Sequence, residues 1–309
     1  MIWIVSYLFR LLPLPWAMLC GRILGNVWYY LVPIRRGVAQ DNIKIALGDR
    51  LNLREQRRMV RRSFQHLVMM GIESLRMHDM TEALSKQRVR RENYEHYSAA
   101  LKKGKGVIIV SGHVGNFELL ACSQAVRGEP IHLVMKDFSN KSAHKFMAET
   151  RRVTKLQTIP PRRSKNIIKE KLAQNKVVGI MVDQHLRSFR ALVCSFFGRL
   201  ASTTPAPARF ALESGAPIIP IVCYRDKRDG YHAIRVEPEF ELEMPYKDEK
   251  KNLWHNTERL NRVVEEWIRE FPDQYFWVHR RWKVHEKPGR WEIPPELEHL
   301  LALPPKSEA

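Results

Sequence analysis

The residues best suited to chemistry stand in one run, Ser111-Gly112-His113-Val114-Gly115-Asn116-Phe117-Glu118. Residues 107–110 before it are wholly apolar and read as a short buried strand. Two glycines allow a tight turn, a histidine emerges, and a carboxylate follows five positions later as residues 117–125 start a helix. Ligands in open α/β sheets bind beyond the carboxyl ends of strands, so the position is a favoured one. Histidine is the side chain suited to general-base work near neutral pH. A carboxylate on its second ring nitrogen would fix the tautomer and stabilise the imidazolium. His113 and Glu118 are the candidate pair. A histidine followed five residues on by a glutamate is by itself a common accident, and the strand-and-glycine setting is what gives it weight.

Competing chemistries lack their motifs. The chain has no G-x-S-x-G nucleophile elbow, no H-E-x-x-H zinc pair and no G-x-x-x-x-G-K-[ST] phosphate loop. A base without a protein nucleophile points to a substrate hydroxyl activated directly, in a one-step group transfer. Other polar residues fall at corresponding strand ends: Asp183-Gln184 after residues 177–182, and Arg225 after 218–224. Arg151 and Arg152 lie on a basic stretch with helical character. Each has an ordinary alternative as a turn cap or a solvated charge.

The elements that must position these residues alternate. Asn52 and Glu55 form a capping-box signature ahead of an amphipathic helix over 53–78. Strands are expected at 131–135, 177–182 and 218–224, with an extended segment at 231–243. Helices are expected beyond Ser164, at 205–214, and through Leu260, Val264, Trp267 and Ile268, where Pro272 ends the last of them. Short apolar strands alternating with helices predict an α/β fold with a largely buried sheet.

Charge narrows the partners. With 52 Lys+Arg against 33 Asp+Glu, the net charge of +19 implies an anionic partner: nucleic acid, a phospholipid surface or an acidic carrier. Cys20, Cys122, Cys194 and Cys223 are widely spaced and form no C-x-x-C pair, which suits a reducing compartment. Residues 1–34 are rich in Ile, Leu, Trp and Tyr but interrupted by Arg10, Pro13, Pro15 and Arg22. Arg22 falls in the middle of the best membrane candidate, residues 11–32, so an interfacial or shallowly inserted anchor is expected rather than a span. Trp16, Trp28, Tyr29 and Tyr30 suit headgroup depth. The basic residues that follow, from Arg35 and Arg36 to Arg62, place this flank on the cytoplasmic side. The expected organisation is an anchor at 1–34, one α/β domain at 35–293, and a loose tail at 294–309.

Several blocks in order carry a resemblance. Gly112 to Glu118, Asp183-Gln184, Phe196-Phe197-Gly198-Arg199, Thr203 to Ala211 with Gly215-Ala216-Pro217, and Gln274 to Lys283 together resemble the bacterial lipid A biosynthesis late acyltransferases (lauroyl/myristoyl transferases). Ala206 departs from that pattern, standing where the family usually has glycine. The resemblance implies an inner-membrane enzyme of glycerolipid-acyltransferase-like α/β fold, with a mixed, mostly buried sheet flanked by helices. It implies acyl transfer from acyl carrier protein to a hydroxyl of a lipid A precursor, with no metal or dissociable cofactor. His113 is then the base and Glu118 its partner. Asn116, Arg151 (or the adjacent Arg152), Asp183 and Arg225 are the implied substrate-binding residues. Relatives acylating other glycolipids, such as phosphatidylinositol mannosides, share these motifs. A basic nucleic-acid-binding protein is the different-class alternative, resting on the charge and on aromatic residues among basic ones at 275–283. It has no nucleic-acid motif, and the apolar N-terminus does not fit it.

Overall fold

The computed structural model describes residues 1–136, 139–162, 164–188, 190–228, 230–284 and 292–302. Four helices come first: α1 (Ile2–Leu11), α2 (Leu14–Leu31), α3 (Arg36–Leu47) and α4 (Leu53–Arg76). The expected capping box starts α4, with the Asn52 side chain accepting from the Arg54 and Glu55 amides. Then follow α5 (Glu82–Arg88), β1 (Val89–Glu92), α6 (Tyr94–Lys102), β2 (Val107–Ser111), α7 (Phe117–Ala125), β3 (Ile131–Val134), α8 (Lys141–Thr154) and β4 (Gln157–Ile159). The chain continues through α9 (Ser164–Ala173), β5 (Val177–Met181), β6 (Leu192–Phe196), β7 (Arg199–Thr203), α10 (Ala206–Ser214), β8 (Ile218–Arg225), β9 (His232–Val236) and α11 (Glu249–Glu270).

Seven strands form one sheet in the order β1-β9-β8-β2-β5-β3-β4. Every neighbouring pair is parallel except β8 and β9, so the sheet is mixed, as expected. Alternate residues of β2 supply opposite faces: Ile108 and Val110 join one apolar cluster, Val107 and Ile109 the other. Burial on both faces is why this strand reads as an unbroken apolar run. The extended segment expected at 231–243 is shorter as a strand. It ends at Val236, because Pro238 has no amide to continue the ladder. β6 and β7 form a separate antiparallel hairpin. Its turn residues Phe197 and Gly198 have φ of 51° and 65°, the backbone that a two-residue hairpin turn requires.

The N-terminal residues form two helices, because Pro13 breaks the pattern, and among the described residues no helix is long and apolar enough to cross a membrane. α2 lies directly on α4. A Cβ added to Gly25 would meet the Gln65 Cα at 2.4 Å, so glycine is what allows the backbones to approach this closely. Ala17, Met18 and Gly21 face the same contact, while Trp16, Leu19, Ile23, Val27 and Leu31 on the other side are exposed. At the opposite terminus, the described part of the tail is not loose. Leu297 and Leu300 are buried against Val193, Leu200 and Val284, closing the back of the hairpin. The remainder of that expectation, residues 303–309, lies outside the described residues.

Candidate active site

β2 delivers the chain to a turn that three segments hold in place. Gly115, at φ 61°, sits so close to β8 that a Cβ there would fall 1.8 Å from the Cys223 carbonyl oxygen. Its amide donates to the Gln274 carbonyl at 2.9 Å, and the Phe276 amide donates to the His113 carbonyl at 3.0 Å. The Asn116 side chain caps α7, accepting from the Leu119 amide at 3.0 Å. Phe117 and Phe276 flank the imidazole, with ring centres 4.6 and 6.0 Å from it. The ring therefore has little freedom beyond the orientation its hydrogen bonds select.

Those hydrogen bonds correct one expectation. The carboxylate on the His113 ring is Asp183, not Glu118. His113 Nδ1 lies 2.7 Å from Asp183 Oδ1, and the His113 amide donates to Oδ2 of the same carboxylate at 2.8 Å. Asp183 is almost wholly buried. Burial alone would raise its carboxyl. The charge and hydrogen bonds of His113, with help from the Arg281 guanidinium, instead hold it below the usual carboxylate range. Tyr275 also hydrogen-bonds Asp183; burial first, then that carboxylate, pushes its phenol well above its ordinary value. With Asp183 fixing the proton on Nδ1, Nε2 is the basic nitrogen. In this structure Nε2 meets the Gln184 amide at 3.0 Å. The strand-end pair Asp183-Gln184 thus clasps both ring nitrogens.

Glu118 stands one turn away in a different setting. Its Oε1 accepts from Arg151 Nη2 at 3.3 Å, and Oε2 is buried with no hydrogen-bond partner among the described residues. Burial raises its carboxyl, against the opposing charges of Arg151 and His113. The two arginines are placed differently. Arg151 is buried beside Glu118, whereas Arg152 points outward and pairs with Glu149 at 2.8 Å.

Arg225 and Asn116 are placed otherwise than expected. Both are tied to Glu73 of α4, which sequence reasoning missed. Arg225 binds this carboxylate with both terminal nitrogens, at 2.7 and 2.9 Å. Asn116 Nδ2 donates to it at 2.8 Å, and His232 Nε2 lies 2.9 Å away. Burial would raise the Glu73 carboxyl, but His232 and Arg225 drive it well below the ordinary value. The signal was a lone glutamate on the buried face of an amphipathic helix, between Met69, Ile72 and Leu75.

Beside the turn a cavity of about 870 Å³ runs along α7. His113, Glu118 and Gln184 line it, with apolar walls from Ile109, Leu120, Ala121, Leu133, Ile221 and Val236. It extends past the far end of α7 to Tyr94 and Tyr97, whose hydroxyls both donate to Glu129. Lys165, Arg190 and Arg209 supply a basic part of its rim. Of the six residues expected in the site, His113 and Glu118 face this cavity. Asp183, Arg151, Asn116 and Arg225 stand behind them. A base whose Nε2 meets only a side-chain amide, at the edge of a long apolar cavity, suits a reaction between a polar group and an aliphatic chain.

Residues 1–284 match the model of the bacterial lipid A biosynthesis acyltransferases. A phosphatidylinositol mannoside acyltransferase of Mycolicibacterium smegmatis is 25% identical over 48% of this chain and 49% of its own, so the chain spans about half the length of that relative. A lipid A biosynthesis lauroyltransferase of Escherichia coli K12 is 26% identical over 93% of this chain and 92% of its own. Among solved structures, a 1-acyl-sn-glycerophosphate acyltransferase from Thermotoga maritima is 13% identical, covering 81% of this chain and 97% of its own, with a TM-score of 0.37.

Proposed function

The chain belongs to the bacterial lipid A biosynthesis acyltransferase family, and from that membership and the site geometry we propose that it transfers a fatty acyl group from a thioester directly to a glycolipid hydroxyl. The observation that carries the proposal is the His113–Asp183 hydrogen bond at the edge of the 870 Å³ apolar cavity. In the proposed step the acceptor hydroxyl displaces Gln184 from Nε2 and gives up its proton there as its oxygen attacks the thioester carbonyl. Asp183 stabilises the imidazolium that results. The tetrahedral intermediate collapses, the carbon–sulfur bond breaks, and His113 returns the proton to the departing thiolate. Ester and thiol are the products, and His113 ends as it began.

Glu118 retains a role in this reading, as a substrate contact rather than as the ring partner. Arg151 fixes one of its oxygens, and Glu118 borders the cavity where the acceptor would sit. The apolar cavity takes the acyl chain. We assign acyl carrier protein as donor, since an acidic carrier complements a chain of net charge +19, and a lipid A precursor as acceptor. The mycobacterial relative favours a second acceptor class, a phosphatidylinositol mannoside-type glycolipid. The exposed apolar side of α1 and α2, with Trp3 and Trp16 in it, suits a monotopic seat on the cytoplasmic face of the inner membrane. Mass spectrometry of membrane lipids from cells with and without the protein tests the reading. A glycolipid that gains one acyl chain only when the protein is present is expected; identical lipid profiles would count against it.

A further inference from the structure

A second opening lies on the other side of the His113 turn, between the N-terminal helices and the sheet. It is a groove of about 750 Å³, separate from the apolar cavity and using none of its lining residues. Arg22 of α2, Arg62 of α4, Arg90 of β1, Arg225 of β8 and Lys227 of the following loop converge on it, and among the described residues that line it the carboxylates are Asp226 and Asp273. Pairing within the fold removes part of that charge. Arg90 holds Asp226 at 2.8 Å, and Arg225 is bound to Glu73 behind the wall. The side chains of Arg62 and Lys227 are exposed and have no ion-pair or hydrogen-bond partner among the described residues. A further feature points to an acceptor-rich ligand. The buried Nε of Arg225, a residue of the groove wall, has no hydrogen-bond partner among the described residues.

The groove also borders the apolar face. Arg22 is followed at once by Ile23 and Leu24, both exposed, with Val27 one turn further along α2. A molecule with aliphatic chains against these residues would bring a polar head to Arg22 and Arg62. Guanidinium and ammonium groups gathered from separate elements are matched best by phosphate oxygens. We propose that this groove binds the phosphate of a lipid headgroup. The proposal rests on the groove and its apolar border, not on the acyl-transfer reading.

The test is a phosphorus NMR titration of the full chain in neutral detergent with dihexanoyl phosphatidylglycerol, and separately with inorganic phosphate. Wild type and the His113→Ala variant should bind the short-chain lipid equally, and more tightly than inorganic phosphate. The variant Arg62→Gln/Lys227→Gln should bind the lipid at least tenfold more weakly, since hydrogen bonds to charged partners contribute that much. The charge-matched control Arg57→Gln/Arg58→Gln, also at exposed positions of α4, should bind as wild type does. Undiminished binding in Arg62→Gln/Lys227→Gln, or an equal loss in the control, would overturn the site. Equal affinity for inorganic phosphate and the lipid, both lost in Arg62→Gln/Lys227→Gln, would overturn the headgroup assignment in favour of free phosphate. Because binding is read without turnover, an inactive enzyme leaves the result intact.

Discussion

Replacing Asp183 by asparagine separates the two carboxylates near His113. Asp183 is buried, and its two oxygens accept the His113 ring and amide at 2.7 and 2.8 Å. An amide in its place can accept at one end only. It either gives up the backbone bond or turns its NH₂ toward the ring, which reverses the tautomer and removes the basic Nε2. Where a base is held by a buried aspartate in this manner, the loss in kcat is about 10³–10⁴-fold. Asp183 does not line the cavity, so KM for the donor should change little, and the loss should appear in kcat. Stability should respond in a defined pH window. The Asp183 carboxyl lies below its ordinary value of 3.8 in the folded chain. Its stabilisation is therefore complete above that value and disappears as pH falls through the lower, folded one. Asp183→Asn should consequently unfold more easily than wild type at pH 7, with the difference shrinking below about pH 4. The assay is thiol release from an acyl carrier protein thioester at saturating acceptor, with circular dichroism as the folding control. A kcat within about threefold of wild type in a folded variant would refute the Asp183 assignment. Glu118→Gln provides the contrast. As a lost substrate contact it should cost roughly ten- to a hundredfold, and a larger loss than that of Asp183→Asn would restore Glu118 as the partner of the ring.

Other expectations are independent of that pair. Arg151→Ala should lower kcat/KM by at least tenfold because it leaves Glu118 buried and unpaired. Arg152→Ala, which removes only a surface ion pair, should stay near wild type in the same assay. Gly115→Ala places a Cβ 1.8 Å from the Cys223 carbonyl oxygen on a left-handed backbone, and should destabilise the fold by about 3 kcal/mol or more in urea titration; a loss under 1 kcal/mol would show that the turn relaxes freely. His66 and His279 are depressed to about 3 and about 4, in each case first by burial. Since unfolding lets each take up a proton, stability should fall by several kcal/mol between pH 6.5 and pH 4, and His66→Gln should flatten that slope. Quenching a reaction that holds labelled donor but no acceptor should leave the protein's intact mass unchanged, whereas a stoichiometric acyl adduct would exclude direct transfer.

What could be read from the sequence followed from patterns that local physics enforces. The strand–glycine–histidine turn was legible because β2 is buried on both faces and Gly115 cannot carry a side chain. The capping box of α4 and the period of α11 were legible for similar local reasons. The partner of the His113 ring was not, since Asp183 arrives 70 positions later, just past the end of the neighbouring strand β5, and strand-end position alone does not say which carboxylate reaches the ring. Arg225 illustrates the same limit. It stands at a strand end as expected, but a glutamate from a distant helix claims both of its terminal nitrogens. The run Phe196-Phe197-Gly198-Arg199 was visible only as a motif, because a phenylalanine at positive φ disguises a hairpin turn. Burial of Leu297 and Leu300 was hidden by the Pro- and Glu-rich composition around them.

The central claim is tested most directly by reconstituting transfer from purified components. Wild type and His113→Ala would each be incubated with an acyl carrier protein thioester and a hydroxylated glycolipid, either a lipid A precursor or a phosphatidylinositol mannoside, and the lipid analysed by mass spectrometry. Wild type should add one acyl chain with loss of the thiol, and His113→Ala should be slower by two to four orders of magnitude, about what a general base contributes. Absence of product with both acceptors, or an unchanged rate in His113→Ala, would contradict the account.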